Sequence, residues 1–162
     1  MKQHVHDEQP SSKHSQHYKH LALMTLLAFA TMYGLMYAMV NSMSNVHGNL
    51  NQFYMAGLMA APMLIIELLV MRAMYRNTRM NAVLLGAGAI LTVTFWFMIR
   101  QQTAINDRQF LRSMIPHHAG AILMCQQAPV ADEEIKALCR SIVASQQSEI
   151  DLMKAKLAAL DR

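Results

Sequence analysis

The chain has 162 residues, of which 54% are hydrophobic and only 15% are charged. Because a soluble domain of this size carries about 25% charged residues, the composition argues against a soluble protein, and the length leaves room for one compact unit rather than two large ones. A net charge of +4 is what loop lysines and arginines give a membrane protein. The sequence carries no nucleic-acid-binding motif, so we expect no nucleic-acid partner.

A polar segment rich in histidine comes first, at residues 1–20. Its histidines are His4, His6, His14, His17 and His20. Low hydrophobicity predicts that this N-terminal tail is disordered. A histidine tract of this kind is able to hold metal ions loosely.

Three apolar runs follow, at residues 21–40, 53–71 and 82–99. A helix of about 20 residues spans roughly 30 Å, which is enough to cross the hydrocarbon core of a bilayer. The third run ends near Trp96, an aromatic residue typical of a membrane interface. Residues 21–99 are therefore predicted to form three transmembrane helices, with the lipid bilayer as a partner.

The positive charges predict the orientation of these spans. Six lie on one side, namely Lys2, Lys13, Lys19, Arg72, Arg76 and Arg79, and three follow the third span, namely Arg100, Arg108 and Arg112. The excess of positive charge favours a cytoplasmic N-terminus. The expected location is a bacterial inner membrane, with residues 100–162 in the periplasm. In that oxidising compartment Cys125 and Cys139 either form a disulfide or stay free as ligands.

Residues 100–162 are predicted to form an antiparallel helical hairpin. Asn106 or Asp107 caps a first helix that ends near residue 127, and Asp132 caps a second that ends near residue 160. Folding back near residues 130–132 places Gln146 and Glu149 close to two adjacent histidines. Since about 55 residues bury little core, we expect either a homo-oligomer, in which two hairpins complete a ferritin-like four-helix bundle, or docking on the membrane spans.

The first hairpin helix carries four residues that suit a soft metal ion. Met114, His117, His118 and Met124 recur at helical offsets. Thioether and imidazole ligands together favour Cu(I), with Ag(I) as the second choice. From the second helix, Met153 offers a further sulfur and Glu149 a carboxylate to orient a histidine. The competing interpretation is a pair of core histidines with methionine packing, and Pro116 predicts a bend beside them.

The tail also resembles a known family. The matching residues are Phe110, Met114, Ile115, Pro116, His117, His118, Ala121, Ile122, Met124, Ile142, Gln146, Glu149, Ile150 and Met153. They are similar to the pattern of the family called domain of unknown function 305, over about 50 residues that lie C-terminal to the three spans. The resemblance implies a helical, ferritin-like bundle that binds copper through its histidines and methionines in copper tolerance. Members often contain two hairpins, and this chain has one.

Methionine is also abundant in the spans, with 16 in the whole chain. Met32, Met36, Met39 and Met43 recur on the first span, and Met55, Met59, Met63, Met71 and Met74 share a row with Glu67 on the second. An ionisable residue inside a span is a functional candidate. We expect a non-enzymatic, membrane-anchored binding protein for copper or silver in metal homeostasis or tolerance. The alternatives are a metal transporter that uses these rows and a structural membrane protein without a ligand. An enzyme is not predicted, because ferritin-like oxidases need Glu-x-x-His pairs and the sequence has none.

Overall fold

The computed structural model describes residues 10–160, with side chains from residue 16 onward, and this part of the chain contains helices and no strand. The helices are α1 (Pro10–Leu35), α2 (Leu50–Val70), α3 (Thr78–Arg100), α4 (Asp107–Gln127) and α5 (Glu133–Leu160), with two short 3-10 turns at Met36–Met39 and Met43–Asn45. The predicted all-α fold is confirmed.

Three helical segments are long and apolar enough to cross a membrane, namely Gln16–Met39, Leu50–Val70 and Thr78–Arg100. They agree with the three predicted spans. Helix α1 already begins at Pro10, so residues 10–20 are helical where a disordered tail was expected. Extending an existing helix by one residue costs far less than starting a new one, which explains why the polar segment continues the apolar helix. His4 and His6 lie outside the described residues.

The chain packs as two compact units that do not follow the expected boundary at residue 100. The apolar unit contains the described residues up to Met32 together with Ala56–Trp96, and the hairpin unit contains Tyr33–Met55 together with the described residues from Phe97 onward. The loop between α1 and α2 therefore belongs to the hairpin unit. The two units are defined by contacts between residues that are distant in the chain, and such contacts cannot be predicted from the hydropathy of the sequence.

The apolar unit has a small core around three buried residues, Leu21, Leu68 and Tyr75. Beside it, the Tyr18 hydroxyl donates to Asn81 Oδ1 at 2.8 Å, and Asn81 Nδ2 donates to the Tyr75 carbonyl at 2.7 Å. These bonds connect the beginning of α1, the α2–α3 turn and the beginning of α3. The polar groups at this end of the unit thus satisfy one another.

Two glycines allow α2 and α3 to pack closely within the apolar unit. A Cβ atom on Gly57 would lie 2.5 Å from the Phe95 ring, and one on Gly88 would lie 2.8 Å from Ile65 Cγ1. Small residues at helix contacts are the usual route to close packing in membranes, where apolar surface alone gives helices little reason to associate.

The hairpin unit is built around α4 and α5, which run antiparallel. Their shared core consists of Leu111, Ile115, Ala119 and Ile122 from α4 and Ile150, Met153 and Leu157 from α5. The Asn106 side chain accepts a hydrogen bond from the Gln109 amide, and Asp132 Oδ1 accepts from the amides of Glu134 and Ile135. Both predicted N-caps are therefore present.

A proline inside α4 creates an attachment point for the loop between α1 and α2. Pro116 has no amide hydrogen, so it cannot donate to the carbonyl of Arg112, four residues earlier. The side chain of Asn49, which is 5% exposed, donates to that carbonyl instead, at 3.4 Å. A second bond links the same elements, since the Leu50 amide donates to Gln109 Oε1 at 3.0 Å. Pro116 therefore fixes the loop against α4.

The end of α3 is fixed to the start of α2 by a matching pair of amides. Gln102 has a φ of 50°, and its amide donates to the Ile99 carbonyl while the Thr103 amide donates to the Met98 carbonyl, which is a Schellman cap. In this left-handed position the Gln102 and Asn51 side chains exchange two hydrogen bonds of 3.1 Å each. The cap thereby holds one wall of the cavity described next.

Candidate functional site: a methionine-lined cavity

The hairpin unit contains an open cavity of approximately 590 Å³ next to α4. Its lining contains five methionines and one histidine, namely Met36, Met39, Met55, Met114, Met124 and His117. The remaining lining residues are Asn49, Asn51, Gln52, Ile99, Gln102, Ser113, Pro116, Gly120 and Ala121. A third of the lining is thus methionine, which concentrates thioether sulfur in one place.

Three separate chain segments supply these sulfurs. Met36 and Met39 come from the 3-10 turn after α1, Met55 comes from the first turns of α2, and α4 supplies the other two methionines. Helix α4 approaches the 3-10 turn closely at Gly120, where an added Cβ would lie 3.5 Å from the Met39 carbonyl oxygen. The unbranched methionine side chain turns about three bonds, so sulfurs from all three segments are free to converge.

The polar residues of the cavity hold its walls in place. Asn51 Nδ2 donates to Ser113 Oγ at 3.2 Å in addition to its bonds with Gln102. The Tyr54 hydroxyl donates to the Thr103 carbonyl at 2.9 Å. These bonds connect α2, the α3 cap and α4, so the amide and hydroxyl groups in them are occupied with one another. The methionines and His117 are the other lining residues with atoms that bind soft metal ions.

The two adjacent histidines of α4 have different surroundings. His117 is exposed and lines the cavity. His118 is 7% exposed, and its Nδ1 lies 2.9 Å from the Met114 carbonyl oxygen while its Nε2 lies 2.7 Å from Glu149 Oε2. A carbonyl oxygen and a carboxylate oxygen are both acceptors, so both contacts are satisfied when each ring nitrogen carries a hydrogen. In this arrangement His118 has no lone pair for a metal ion.

Glu149 is the polar partner of His118 on α5. Hydrogen bonds from His118 and then from Ser145 lower the pKa of the Glu149 carboxyl below its ordinary value. The Ser145 hydroxyl lies 3.0 Å from Glu149 Oε1. The carboxylate thus connects α5 to α4 at the level of the cavity, and of the two candidates that the hairpin register offered, Gln146 and Glu149, the second makes this contact.

The six residues predicted as a metal site therefore separate into three groups. Met114, His117 and Met124 line the cavity. His118 and Glu149 pair with each other. Met153 is 9% exposed and belongs to the α4–α5 core. The sequence interpretation did not bring Met36, Met39 and Met55 to this place, although it noted their helical spacing, because nothing in that spacing reports which distant segment they approach.

Among the described residues, no three side chains of His, Cys, Asp and Glu come together as a metal site. The cavity instead offers thioethers and one imidazole. These neutral, soft donors suit Cu(I) and Ag(I), whereas zinc and the hard cations prefer thiolate, additional imidazole or carboxylate ligands. The donor set therefore fits a soft monovalent cation.

Glu67, the acid inside the second span, has a partner in the apolar unit. The Tyr75 side chain, 3% exposed, hydrogen-bonds Glu67, and burial followed by the negative charge of Glu67 raises the pKa of Tyr75. The methionines of the same row, Met59, Met63 and Met71, are each about two-fifths exposed. They lie on the surface of an apolar helix, where lipid is the ordinary neighbour of a methionine.

Comparison of sequences finds a relative of this chain. An uncharacterized protein of Acanthamoeba polyphaga mimivirus is 33% identical over 140 residues, which covers 85% of this chain and 90% of that protein. An alignment of that length takes in most of the apolar helices as well as the hairpin. No solved structure matches the chain.

A family profile also matches the chain. The family is described as Domain of unknown function (DUF305), and the match covers residues 70–157. It begins before α3, so it includes the third span, and the expectation that the resemblance lies entirely after the spans needs this correction. Since the matched residues make up more than half of the sequence, the chain belongs to the DUF305 family.

Proposed function

We propose that this protein is a membrane-anchored binding protein for soft monovalent metal ions, Cu(I) first and Ag(I) second, in metal homeostasis or tolerance. The observation that carries the proposal is the cavity of the hairpin unit, where five methionines and His117 line one space. Scattered packing methionines give no reason for such a concentration around a single histidine.

Met114, His117 and Met124 are the proposed ligands from α4, and Met36, Met39 and Met55 are the proposed ligands from the loop and helix ends. Thioether sulfur carries no proton and no charge, so it binds a monovalent cation without first losing a proton. Met39, Met55 and Met124 are 53%, 40% and 54% exposed. Exposed thioethers are accessible to an ion that enters from solvent, and their flexible side chains allow them to close around it.

His118 and Glu149 are proposed as positioning residues. The contact between His118 Nε2 and Glu149 Oε2 holds α4 at one rotation about its axis, and at that rotation His117 lines the cavity. Residues three and four positions apart share a helix face, so Met114 lies on the same side as His117. The sequence interpretation gave His118 a place among the ligands, and the hydrogen bonds at both of its nitrogens support the positioning role instead.

The proposed location is a bacterial inner membrane with a cytoplasmic N-terminus and the hairpin in the periplasm. Six positive charges against three support this orientation. The proposed oligomer is a bundle formed by two hairpins. Exposed apolar side chains on α4 and α5 support it, among them Phe110, Leu138 and Leu152, which are 50%, 58% and 57% exposed.

The test is Cu(I) titration of the full chain in detergent, under anaerobic conditions, against a chromophoric Cu(I) chelator. Every protein in this comparison, the reference included, carries Cys125→Ser and Cys139→Ser, so that thiol ligands do not contribute. Changing a residue that only supports a metal ligand weakens metal affinity about 10- to 100-fold. The triple variant Met114→Leu, His117→Ala, Met124→Leu removes three proposed ligands, so its Cu(I) affinity is expected to fall at least about 100-fold. The matched control is Met59→Leu with Met63→Leu, which changes two methionines of the apolar unit and is expected to bind as the reference does. Unchanged affinity in the triple variant would refute the proposed site, and a loss confined to the control would favour the row of α2.

A further inference from the structure

A second pocket of the hairpin unit contains both cysteines of the chain. It has a volume of approximately 520 Å³ and lies where α4 ends and α5 begins. Cys125 is in the last turns of α4 and Cys139 is in the second turn of α5. Lys136 and Arg140 line the same pocket, together with small and apolar residues.

The two cysteines line the same pocket from the two helices of the hairpin. Both cysteines are free and half-buried, and the Cys139 thiol hydrogen-bonds the Cys125 thiol. This hydrogen bond, followed by burial, raises the pKa of Cys125. Two sulfurs that line one pocket from two different helices form a pair that a single small ion is able to bridge.

The charges around the pair favour one kind of occupant. Two thiolates with one monovalent cation carry a net charge of −1, and a divalent cation bound by two thiolates would need additional ligands to complete a tetrahedron. Lys136 and Arg140 supply positive charge in the same pocket, although Lys136 Nζ also contacts Glu133 Oε1 at 2.7 Å. Soft thiolate ligands select Cu(I) among the available copper states.

We propose that Cys125 and Cys139 form a second site, separate from the methionine-lined cavity, that binds one Cu(I) or Ag(I) ion between two thiolates. Binding converts two thiols and one monovalent cation into a bis-thiolate complex and releases two protons, with no change of oxidation state. Met124 lines the first cavity and Cys125, the next residue, lines the second. The chain thus offers a neutral thioether site and an anionic thiolate site one residue apart on the same helix.

Proton release separates the two sites experimentally. Metal binding to thiols releases protons because the ligand must be deprotonated, whereas thioethers have no proton to lose. The full chain, reduced and held in detergent without oxygen, is titrated with Cu(I) buffered by the chromophoric chelator while released acid is measured. The titration is made at about pH 7.5, where an ordinary imidazole is already neutral and an ordinary thiol still carries its proton. We expect two Cu(I) ions and two protons per wild-type chain, and one Cu(I) without proton release for the variant Cys125→Ser, Cys139→Ser.

The cavity variant Met114→Leu, His117→Ala, Met124→Leu distinguishes failure of this proposal from failure of the proposed function. If it binds one Cu(I) with release of two protons, the thiol site is independent of the methionines. If the serine variant binds no metal while the wild type binds one with two protons, the proposed function fails and the thiol site stands. Equal stoichiometry and equal proton release in wild type and serine variant would overturn the thiol site. So would thiol counting that finds the two cysteines paired as a disulfide under the reducing conditions of the titration.

A charge variant tests the part assigned to the two cations. Lys136→Gln with Arg140→Gln removes both positive side chains and leaves the sulfurs in place. Since partly exposed charges contribute modestly, the affinity of the thiol site is expected to fall about three- to tenfold, with two protons still released. An unchanged affinity would show that the cations do not balance a bis-thiolate complex, which would contradict the monovalent occupant proposed here.

Discussion

Helix α4 has two faces with different surroundings. One face, with Ile115, His118 and Ile122, is buried against α5, and His118 satisfies both of its nitrogens there. The other face, with Met114, His117 and Met124, lines a cavity. A rotation of about 100° per residue separates neighbours on a helix. The adjacent histidines therefore have different roles: His118 packs against α5, and His117 lies at the candidate site.

The largest contrast between the faces is expected in stability. Ile150 of α5 is completely buried against α4, and Ile150→Ala removes a branched side chain from a close-packed core, at a cost of about 3 kcal/mol. Met124→Ala, on the exposed face, is expected to change stability by less than about 0.5 kcal/mol. Hydrogen exchange of α4 and α5 peptides in the full chain measures both. Similar losses in the two variants would break the distinction between the faces.

The adjacent histidines sharpen the contrast further. His118→Ala removes a buried ring and its two hydrogen bonds, so the hairpin is expected to lose about 2 kcal/mol in the same exchange measurement. His117→Ala is expected to leave stability within about 0.5 kcal/mol and to weaken Cu(I) binding. The paired variants are each other's control. A stability loss at His117 together with none at His118 would reverse the assignment.

The loop methionines test whether the cavity has a wall outside α4. Met39→Leu with Met55→Leu, compared in proteins that carry Cys125→Ser and Cys139→Ser, keeps the apolar volume and removes two sulfurs. We expect Cu(I) affinity to fall about tenfold, which corresponds to about 1.4 kcal/mol. Met24→Leu with Met80→Leu, in the apolar unit, is the matched control. If chelator competition detects no difference between these two variants, the metal would be held by α4 alone.

The bond between Asn49 and the Arg112 carbonyl is testable by a double-mutant cycle. Pro116→Ala restores an amide hydrogen that competes for this carbonyl, so Asn49→Ala should cost less in the Pro116→Ala background than in the wild type. A coupling of about 1 kcal/mol is expected for groups in direct contact. Hydrogen exchange in the loop at residues 46–50 reports it. If the free-energy costs of the two substitutions were strictly additive, the position of the loop would not depend on the hydrogen bond that Pro116 cannot donate.

The smallest effect concerns pH. Because the folded pKa of Glu149 is lowered from its ordinary value of 4.5, its stabilising contribution is present above pH 4.5 and is lost as the pH falls through the lowered folded value. Glu149→Gln should remove this acid-dependent part of the hairpin's stability while leaving the protein folded at neutral pH. Hydrogen exchange of α4, corrected for the intrinsic rate at each pH, compares the two proteins. Identical acid dependence would exclude Glu149 as its source.

The helices could be predicted from the sequence because their causes are local. Hydropathy marked the three spans, and Asn106 and Asp132 marked the beginnings of α4 and α5. The register of the hairpin followed from its short connection and placed Glu149 within reach of the histidines. What remained open was which histidine it contacts, since both lie within one turn of the same helix.

The cavity could not be predicted in the same way. Its walls combine Met36 and Met55 with Met114, residues separated by as many as 78 positions in the chain (114 − 36). Their approach depends on tertiary contacts such as the amide pair between Asn51 and Gln102. No periodicity or spacing reports such a contact. The left-handed conformation of Gln102 could not be predicted from the sequence either, because the residue at this position of a Schellman cap is usually glycine.

The hydrogen bond that Pro116 cannot donate within α4 affects whether α4 and α5 can be separated from the rest of the chain. A fragment that starts near residue 100 looks like a natural module, but it would lack Asn49, and its Arg112 carbonyl would lose the side chain that occupies it. The same cut would remove the methionines that the loop and α2 place at the cavity. A design that moves only α4 and α5 into another protein would therefore lack Asn49 and the cavity methionines of the loop and α2. Keeping the arrangement intact requires the segment from Tyr33 to Met55 as well.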